Sequence, residues 1–196
     1  MNVALKEWAA VVEELAVGRQ ILLLRKGGIA EPGNRGFQVR HQEFLLFPTF
    51  EHQQAGLLRP ECRDVYERVA AAADPAAVRI THLAQVASAI PAPPLEALRY
   101  CSKHYVWSDE LLRQRYEYRP DLTLMLIVAR VFRLARPATI PLRASYAGCK
   151  SWVNLTEQID VEGARAVLSE DQFAAAWKGV TEDLGRYVET ASPAKR

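Results

Sequence analysis

Side chains able to carry out acid–base chemistry follow two apolar runs in the first third of the chain. Glu51 and His52 come shortly after the run Phe44–Phe47, and Lys26 comes shortly after the run Ile21–Leu24. Imidazole ionises near neutral pH, so His52 can accept and return a proton as a general base in hydrolysis. We therefore consider Glu51, His52 and Lys26 as candidate catalytic residues. Adjacent residues on a strand point to opposite faces, so Glu51 and His52 share a site only if they lie in a loop; a structural role for His52 is the alternative.

A second set of residues is typical of nucleic-acid binding. Arg25 and Lys26 precede two glycines, so cations and backbone amides could meet a phosphate there. Tyr105 and Trp107 offer rings for stacking a base, and residues 110–150 carry eight Lys or Arg residues but only three acidic ones. The predicted nucleic-acid-binding residues are Arg25, Lys26, Tyr105, Trp107, Arg113, Arg115 and Arg130. The alternative interpretation is that the two rings belong to the core and the arginines cover exposed faces.

Residue types that bind metals are present but are not arranged at ligand spacing. The four histidines and three cysteines lie far apart in the sequence, which predicts neither a zinc site nor a disulfide framework. The glycine-rich segment does not end in the Gly-Lys-Ser/Thr sequence of a P-loop. We therefore predict no metal and no cofactor.

The candidate catalytic residues are positioned by two predicted strands. These strands, Arg19–Lys26 and Glu43–Phe47, are short and apolar, and they are joined by the turn-rich loop Gly27–Gly36. A helix is predicted over Ala4–Ala16, because its apolar residues recur at helical spacing and Gly18 follows as a stop signal. This helix is expected to cover the first strand.

The rest of the chain is predicted to contain four further strands and four helices. The strands are predicted over Phe37–Arg40, over Val78–Ile90, over Leu122–Leu134 and within Gly148–Leu155. The helices are predicted from Pro60, over Leu95–Tyr100, over Asp109–Tyr116 after the cap Ser108, and over Glu170–Leu184 after the cap Ser169. Strands and helices do not alternate regularly, which favours an α+β fold with a mainly antiparallel, curved sheet and helices at both ends. We expect a single domain over residues 1–190 and a loose tail over 191–196.

Composition and charge indicate where in the cell the protein is expected and what it could contact. The N-terminal residues include several charged side chains, which is not typical of a signal peptide, and no apolar run approaches the ~20 residues of a membrane helix. We therefore expect a cytoplasmic protein that does not contact membranes. Residues 151–196 carry eight acidic and five basic residues, and this acidic segment could serve as a docking face for another protein.

Six motifs spread over nearly the whole chain carry a family resemblance. They are Ala4–Trp8, Leu22–Ile29, Phe44–Thr49 with Glu51–Gln53, His104–Trp107, Arg130–Leu134 and Gly148–Trp152. In these motifs the chain resembles the uncharacterised prokaryotic domain-of-unknown-function family DUF1802, which has no assigned activity. Some members are associated with Mrr-type restriction-endonuclease domains. The resemblance therefore implies a role in restriction–modification, with a restriction-endonuclease subunit as a partner.

The order of predicted elements carries a second resemblance. A strand over Arg79–Ile90, a helical insert and a long strand over Leu122–Leu134 leading to Pro137 are similar in order to the PUA-like barrels of the ASCH and EVE group. Those domains read modified bases in RNA or DNA. The preferred hypothesis is a nucleic-acid-binding module that recognises modified DNA in a defence system. The alternatives are a hydrolase of a nucleotide or nucleic acid that uses His52, Glu51 and Lys26, and a protein-interaction module.

Overall fold

The structure, a computed structural model, describes residues 1–26 and 36–191. The strands in this part of the chain are β1 (Val3–Trp8), β2 (Leu22–Arg25), β3 (Glu43–Thr49), β4 (Ala77–Pro91), β5 (Met125–Pro141), β6 (Trp152–Asn154) and β7 (Arg165–Ala166). The helices are α1 (Ala9–Ala16), α2 (Arg63–Ala71), α3 (Leu95–Tyr100), α4 (Asp109–Glu117) and α5 (Glu170–Ala191). The predicted loop Gly27–Gly36, apart from its last residue, and the predicted tail from residue 192 onward lie outside the described residues.

All seven described strands form one sheet. Their order is β2-β5-β4-β3-β1-β6, with β7 pairing a separate part of β5. Every neighbouring pair is antiparallel except β1 and β3, which run parallel. Two register shifts in the long β4–β5 ladder increase its twist, so that the sheet curves. The predicted α+β class with a mainly antiparallel, curved sheet is confirmed.

The N-terminal helix prediction is wrong for its first half. Val3–Trp8 is a strand, and the helix begins only at Ala9. The strand is buried on both faces, so it lacks the polar–apolar alternation that identifies a half-buried strand. Phe37–Arg40, predicted as an edge strand, belongs to no strand; the backbone N–H of Phe37 instead donates to the carbonyl of Lys26, and its ring stacks on Trp152.

The remaining predicted elements are confirmed, with shifted ends. The long strand predicted from Leu122 begins at Met125 and continues to Pro141. Both predicted helix caps are present, because the Ser108 hydroxyl accepts from the Leu111 N–H at 3.2 Å and the Ser169 hydroxyl accepts from the Gln172 N–H at 3.2 Å. No helix in the described part of the chain is both long and apolar enough to cross a bilayer.

The two faces of the sheet carry separate cores, and β1 contributes to both. Leu5 packs in the larger core, together with residues of α1, α3 and α4, whereas Ala4 packs in the smaller core around Phe47 and Tyr146. The next two residues of β1, Lys6 and Glu7, continue this alternation and are also buried. Buried charged groups need partners, and those of Lys6 lie in the segment after β3 and in the loop before β6.

Candidate catalytic site

The parallel pairing of β1 and β3 brings three distant segments together. The two strands are in register from Ala4 opposite Leu45 to Trp8 opposite Thr49, so their ends lie at the same edge of the sheet. β6 pairs with the other side of β1, which places the loop before Trp152 at this edge too. The segment after β3 and the loop before β6 therefore meet beside β1.

The buried ammonium group of Lys6 fixes these segments to one another. Its Nζ donates to Glu51 Oε2 at 2.7 Å, to the Tyr146 carbonyl at 2.9 Å and to the Gly148 carbonyl at 3.0 Å. All three donors of the lysine are thereby used. The other carboxylate oxygen of Glu51 accepts from the Gly148 N–H at 3.1 Å. Glu51 thus has an orienting role, and Lys6 supplies the cation beside it.

A thiol–imidazole pair lies on the solvent side of this ion pair. The Sγ atom of Cys149 is 3.5 Å from His52 Nε2, within hydrogen-bond reach for sulfur, and both residues are exposed. His52 adopts φ 58°, the left-handed region that a residue with a Cβ rarely occupies. Strained backbone of this kind concentrates at functional sites. An imidazole that accepts the thiol proton leaves a thiolate, which is the nucleophilic form of cysteine.

The backbone around Cys149 leaves one donor available. The Gly148 N–H is bonded to Glu51 and the Lys150 N–H to the Gly148 carbonyl, whereas the N–H of Cys149 has no partner within residues 1–26 and 36–191. Lys150 is exposed, and its Nζ donates to the Ser145 carbonyl at 3.2 Å. An N–H and a cation beside a nucleophile are the groups that stabilise an oxyanion.

Lys26, the third predicted catalytic residue, has a different environment. Its Nζ donates to the carbonyls of Arg115 and Tyr116, at 2.9 Å each, in the last turn of α4. Burial lowers the pKa of Lys26. Lys26 contacts neither His52 nor Glu51, and the cation beside Glu51 is Lys6 instead. Lys26 is also not free to meet a phosphate.

Arg25 lies on the other face of β1 from the Lys6–Glu51 pair. Its guanidinium is 3.2 Å from Glu7 Oε2 and 3.1 Å from the Lys6 carbonyl, and it lies 5.6 Å above the ring of Phe37. A carboxylate therefore already occupies the position at Arg25 that a phosphate would take. Arg115, near Arg25, is half-buried. Desolvation lowers the pKa of Arg115, and the positive charge of Arg25 acts in the same direction.

Tyr105 and Trp107, expected to stack a base, are core residues. Their side chains are 3% and 4% exposed, and their rings stack on each other with centroids 4.9 Å apart. The Tyr105 hydroxyl donates to the Leu98 carbonyl at 2.6 Å, and burial raises its pKa. Neither ring has a free face for a base, which agrees with the alternative interpretation of this motif.

Arg113 and Arg130 are exposed or partly exposed but are paired with acids. Arg113 contacts Glu110 at 2.5 Å and Asp109 at 3.5 Å, both on its own helix. Arg130 pairs with Glu170 at 2.6 Å, and its guanidinium also lies over the ring of Phe173. Of the three predicted catalytic residues, the structure therefore brings only Glu51 and His52 together, apart from Lys26.

Two functional candidates, Lys6 and Cys149, are not identified by sequence reasoning. Lys6 lies in a segment whose apolar spacing suggests a helix, and Cys149 lies alone between a turn and a short strand. The sequence signals that remain are two motifs: Ala4–Trp8, which contains Lys6, and Gly148–Trp152, which contains both the thiol and the turn glycine. No group of three or more metal-ligating side chains occurs in the described part of the chain.

Comparison with known proteins finds a match to one family model and similarity to one solved structure. The model of the family described as Domain of unknown function (DUF1802) matches residues 4–178. The crystal structure of a mutant of ZmASCH from Zymomonas mobilis is similar with a TM-score of 0.40 and 10% identity, over 90% of this chain and 94% of that chain. No curated protein matches.

Proposed function

This chain belongs to the DUF1802 family of domains of unknown function, and we propose that it is an enzyme in which Cys149 is the nucleophile and His52 the general base. The observation that carries the proposal is the 3.5 Å contact between Cys149 Sγ and His52 Nε2 at an exposed position. Such a contact between nucleophile and base is the geometric signature of covalent catalysis.

The proposed reaction is hydrolysis of an acyl compound. His52 takes the thiol proton while Cys149 Sγ attacks the carbonyl carbon, which forms an S–C bond and an oxyanion. The Cys149 N–H and Lys150 are placed to stabilise that oxyanion. The intermediate then expels an amine or alcohol that takes the proton from His52, and water cleaves the thioester to give the acid and the free thiol.

Lys6 and Glu51 act as positioning residues in this proposal. They touch the loop that carries Cys149 and the segment that carries His52, but neither contacts Sγ or Nε2 directly. Removing the Lys6 ammonium frees two loop carbonyls and leaves Glu51 without its cation. The thiol and the imidazole would then be held less firmly relative to one another.

The proposal is tested with p-nitrophenyl acetate as an acyl donor. We expect mass spectrometry to find one acetyl group bound to Cys149. One equivalent of p-nitrophenol should be released as this acetyl group is transferred. His52→Gln should slow this acetylation by about a hundredfold, the usual contribution of a general base. Lys6→Met should slow it as well, by a smaller factor.

Matched controls distinguish catalysis from the background reactivity of an exposed thiol. His41→Gln removes another imidazole and Cys62→Ser another thiol, and neither change should alter the rate. The proposal is refuted if Cys149 reacts no faster than Cys62, or if the folded His52→Gln variant acetylates at the wild-type rate. Circular dichroism checks that each variant is folded.

Nucleic-acid recognition, the other hypothesis drawn from the sequence, has less support at the residues named for it. Their rings are buried, and Arg25, Arg113 and Arg130 are paired with acids. The observation that favours phosphate binding lies elsewhere on the sheet and concerns different arginines.

A further inference from the structure

Two arginines of the sheet face each other across the β5–β7 pair. Arg133 on β5 is directly opposite Arg165 on β7, and both are exposed. Side chains directly opposite on antiparallel strands leave the same face from neighbouring Cβ atoms, so the two guanidinium groups can reach a common point. Like charges in this position destabilise a sheet.

The other arginines along and beyond β5 show what is missing at this pair. Arg130 pairs with Glu170 at 2.6 Å, Arg143 pairs with Glu157 at 2.8 Å, and Arg136 pairs with Asp160. Among the side chains of residues 1–26 and 36–186, neither Arg133 nor Arg165 has a hydrogen-bond or ion-pair partner. Two adjacent positive charges are thus left without a counter-charge from the described chain.

The residue on the other side of Arg133 also supplies no negative charge. His82 is directly opposite Arg133 in the β4–β5 ladder and is 5% exposed. Its Nδ1 contacts the Thr81 hydroxyl at 2.7 Å, and its Nε2 is buried without a partner. Burial, reinforced by Arg133, lowers the pKa of His82 to about 4, so the ring is neutral at pH 7.

We propose that Arg133 and Arg165 bind a phosphate or phosphodiester anion. A guanidinium presents paired N–H groups that match two phosphate oxygens, and two adjacent guanidiniums can share one phosphate group. The anion supplies the missing counter-charge and turns the repulsion into a favourable contact. The site is independent of Cys149 and does not require the proposed catalytic activity.

The proposal makes a prediction for the free protein that ordinary surface arginines would not share. Without an anion, Arg165→Gln relieves the repulsion with Arg133 and should raise the melting temperature. Arg136→Gln is the matched control, because it removes an arginine from the same strand that does have a carboxylate partner. That change should not raise the melting temperature.

Phosphate binding itself is measured by thermal unfolding at constant ionic strength. Sodium phosphate should raise the melting temperature of the wild type and of Arg136→Gln relative to sodium chloride. It should have no such effect on the double variant Arg133→Gln/Arg165→Gln. Constant ionic strength is needed because salt alone screens the two arginines.

Fluorescein-labelled oligonucleotides of 20 nucleotides, single-stranded and duplex, test whether the ligand of the site is a free phosphate or a nucleic-acid backbone. If the site holds backbone phosphates, the wild type binds the oligonucleotide, and the slope of log K against log salt falls by about two in the double variant. A response to sodium phosphate without oligonucleotide binding assigns the site to a small phosphate ligand. The proposal is overturned if the double variant keeps both responses, if the wild type shows neither, or if the double variant does not fold.

Discussion

The ammonium group of Lys26 lies at the carbonyl end of α4, where the helix dipole places partial negative charge. It donates to the carbonyls of Arg115 and Tyr116, and it is 3% exposed. Lys26→Met keeps the aliphatic stem and removes both hydrogen bonds. We expect a loss of about 2 kcal/mol in the free energy of unfolding, measured by urea denaturation.

The same variant discriminates between a structural and a catalytic lysine. Because Lys26 contacts neither His52 nor Glu51, acetylation of Cys149 should proceed at the wild-type rate in Lys26→Met. Lys178→Met, which removes an exposed lysine 3.7 Å from Glu182, is the control and should change stability by less than about 0.5 kcal/mol. Slower acetylation in Lys26→Met with stability unchanged would return this lysine to the catalytic set.

At the residue scale, the sequence predicts which residue types could form a site, but it does not predict which side chains contact one another. Glu51 and His52 stand out because polar groups follow an apolar run, and they do lie together in a loop. The cation beside Glu51 was expected to be Lys26, since that lysine also ends an apolar run. Lys6 holds this position because a side chain 45 residues away is brought close by strand pairing, which local sequence does not encode.

Gly18 terminates α1 through a specific backbone motif. Its N–H donates to the Leu15 carbonyl at 3.2 Å and the next N–H, of Arg19, donates to the Glu14 carbonyl at 3.0 Å, which is the Schellman pattern. Its φ is +75°, and a Cβ at this position would lie 2.5 Å from Leu168 Cδ2. Gly18→Ala therefore combines backbone strain with a steric clash and should lower the free energy of unfolding by about 2–3 kcal/mol.

A second glycine-to-alanine change provides the control for this prediction. Gly185 lies within α5, and a Cβ there has nothing within 4 Å. Gly185→Ala should raise stability by up to about 1 kcal/mol through helix propensity. Both variants are compared by urea unfolding. If Gly18→Ala is as stable as the wild type, the left-handed turn does not determine where α1 ends.

At the element scale, the ends of helices were easier to predict than the secondary structure of the N-terminal segment. Ser108, Ser169 and Gly18 each mark a helix end by local chemistry, and each does so in the structure. Val3–Trp8 could not be assigned in this way. Its two apolar faces pack against different cores, so its burial depends on both layers of the molecule rather than on its own periodicity.

At the scale of the whole molecule, the parallel pair β1–β3 creates the candidate site. Antiparallel neighbours place consecutive ends at opposite edges, whereas these two strands end together. The contact between Cys149 and His52 spans 97 residues of sequence, and the contact between Lys6 and Gly148 spans 142. Sequence spacing cannot reveal contacts of this range, which explains why Cys149 was not predicted as a site residue while the fold class was predicted.

One contribution to the pH dependence of global stability comes from His82, which is buried where β4 and β5 pair. Its ordinary pKa is 6.5, and burial, reinforced by the charge of Arg133, lowers it to about 4 in the folded chain. Between these values the unfolded chain binds more protons than the folded one, so stability rises with pH and is lost as pH falls from 6.5 towards 4. Urea unfolding should show a loss of about 2 kcal/mol between pH 7 and pH 5.

Substitutions at His82 and beside it isolate this contribution. His82→Gln removes the titrating ring and should flatten stability between pH 7 and pH 5. Arg133→Gln removes the second cause of the shift, so its pH dependence should lie between those of the wild type and His82→Gln. Carboxylates with lowered pKa, such as Asp183 beside Lys103, contribute in a separate window below about pH 4 because their stabilisation is lost only when they protonate. An equal loss between pH 7 and pH 5 in the wild type and His82→Gln would show that another group governs the acid sensitivity of the fold.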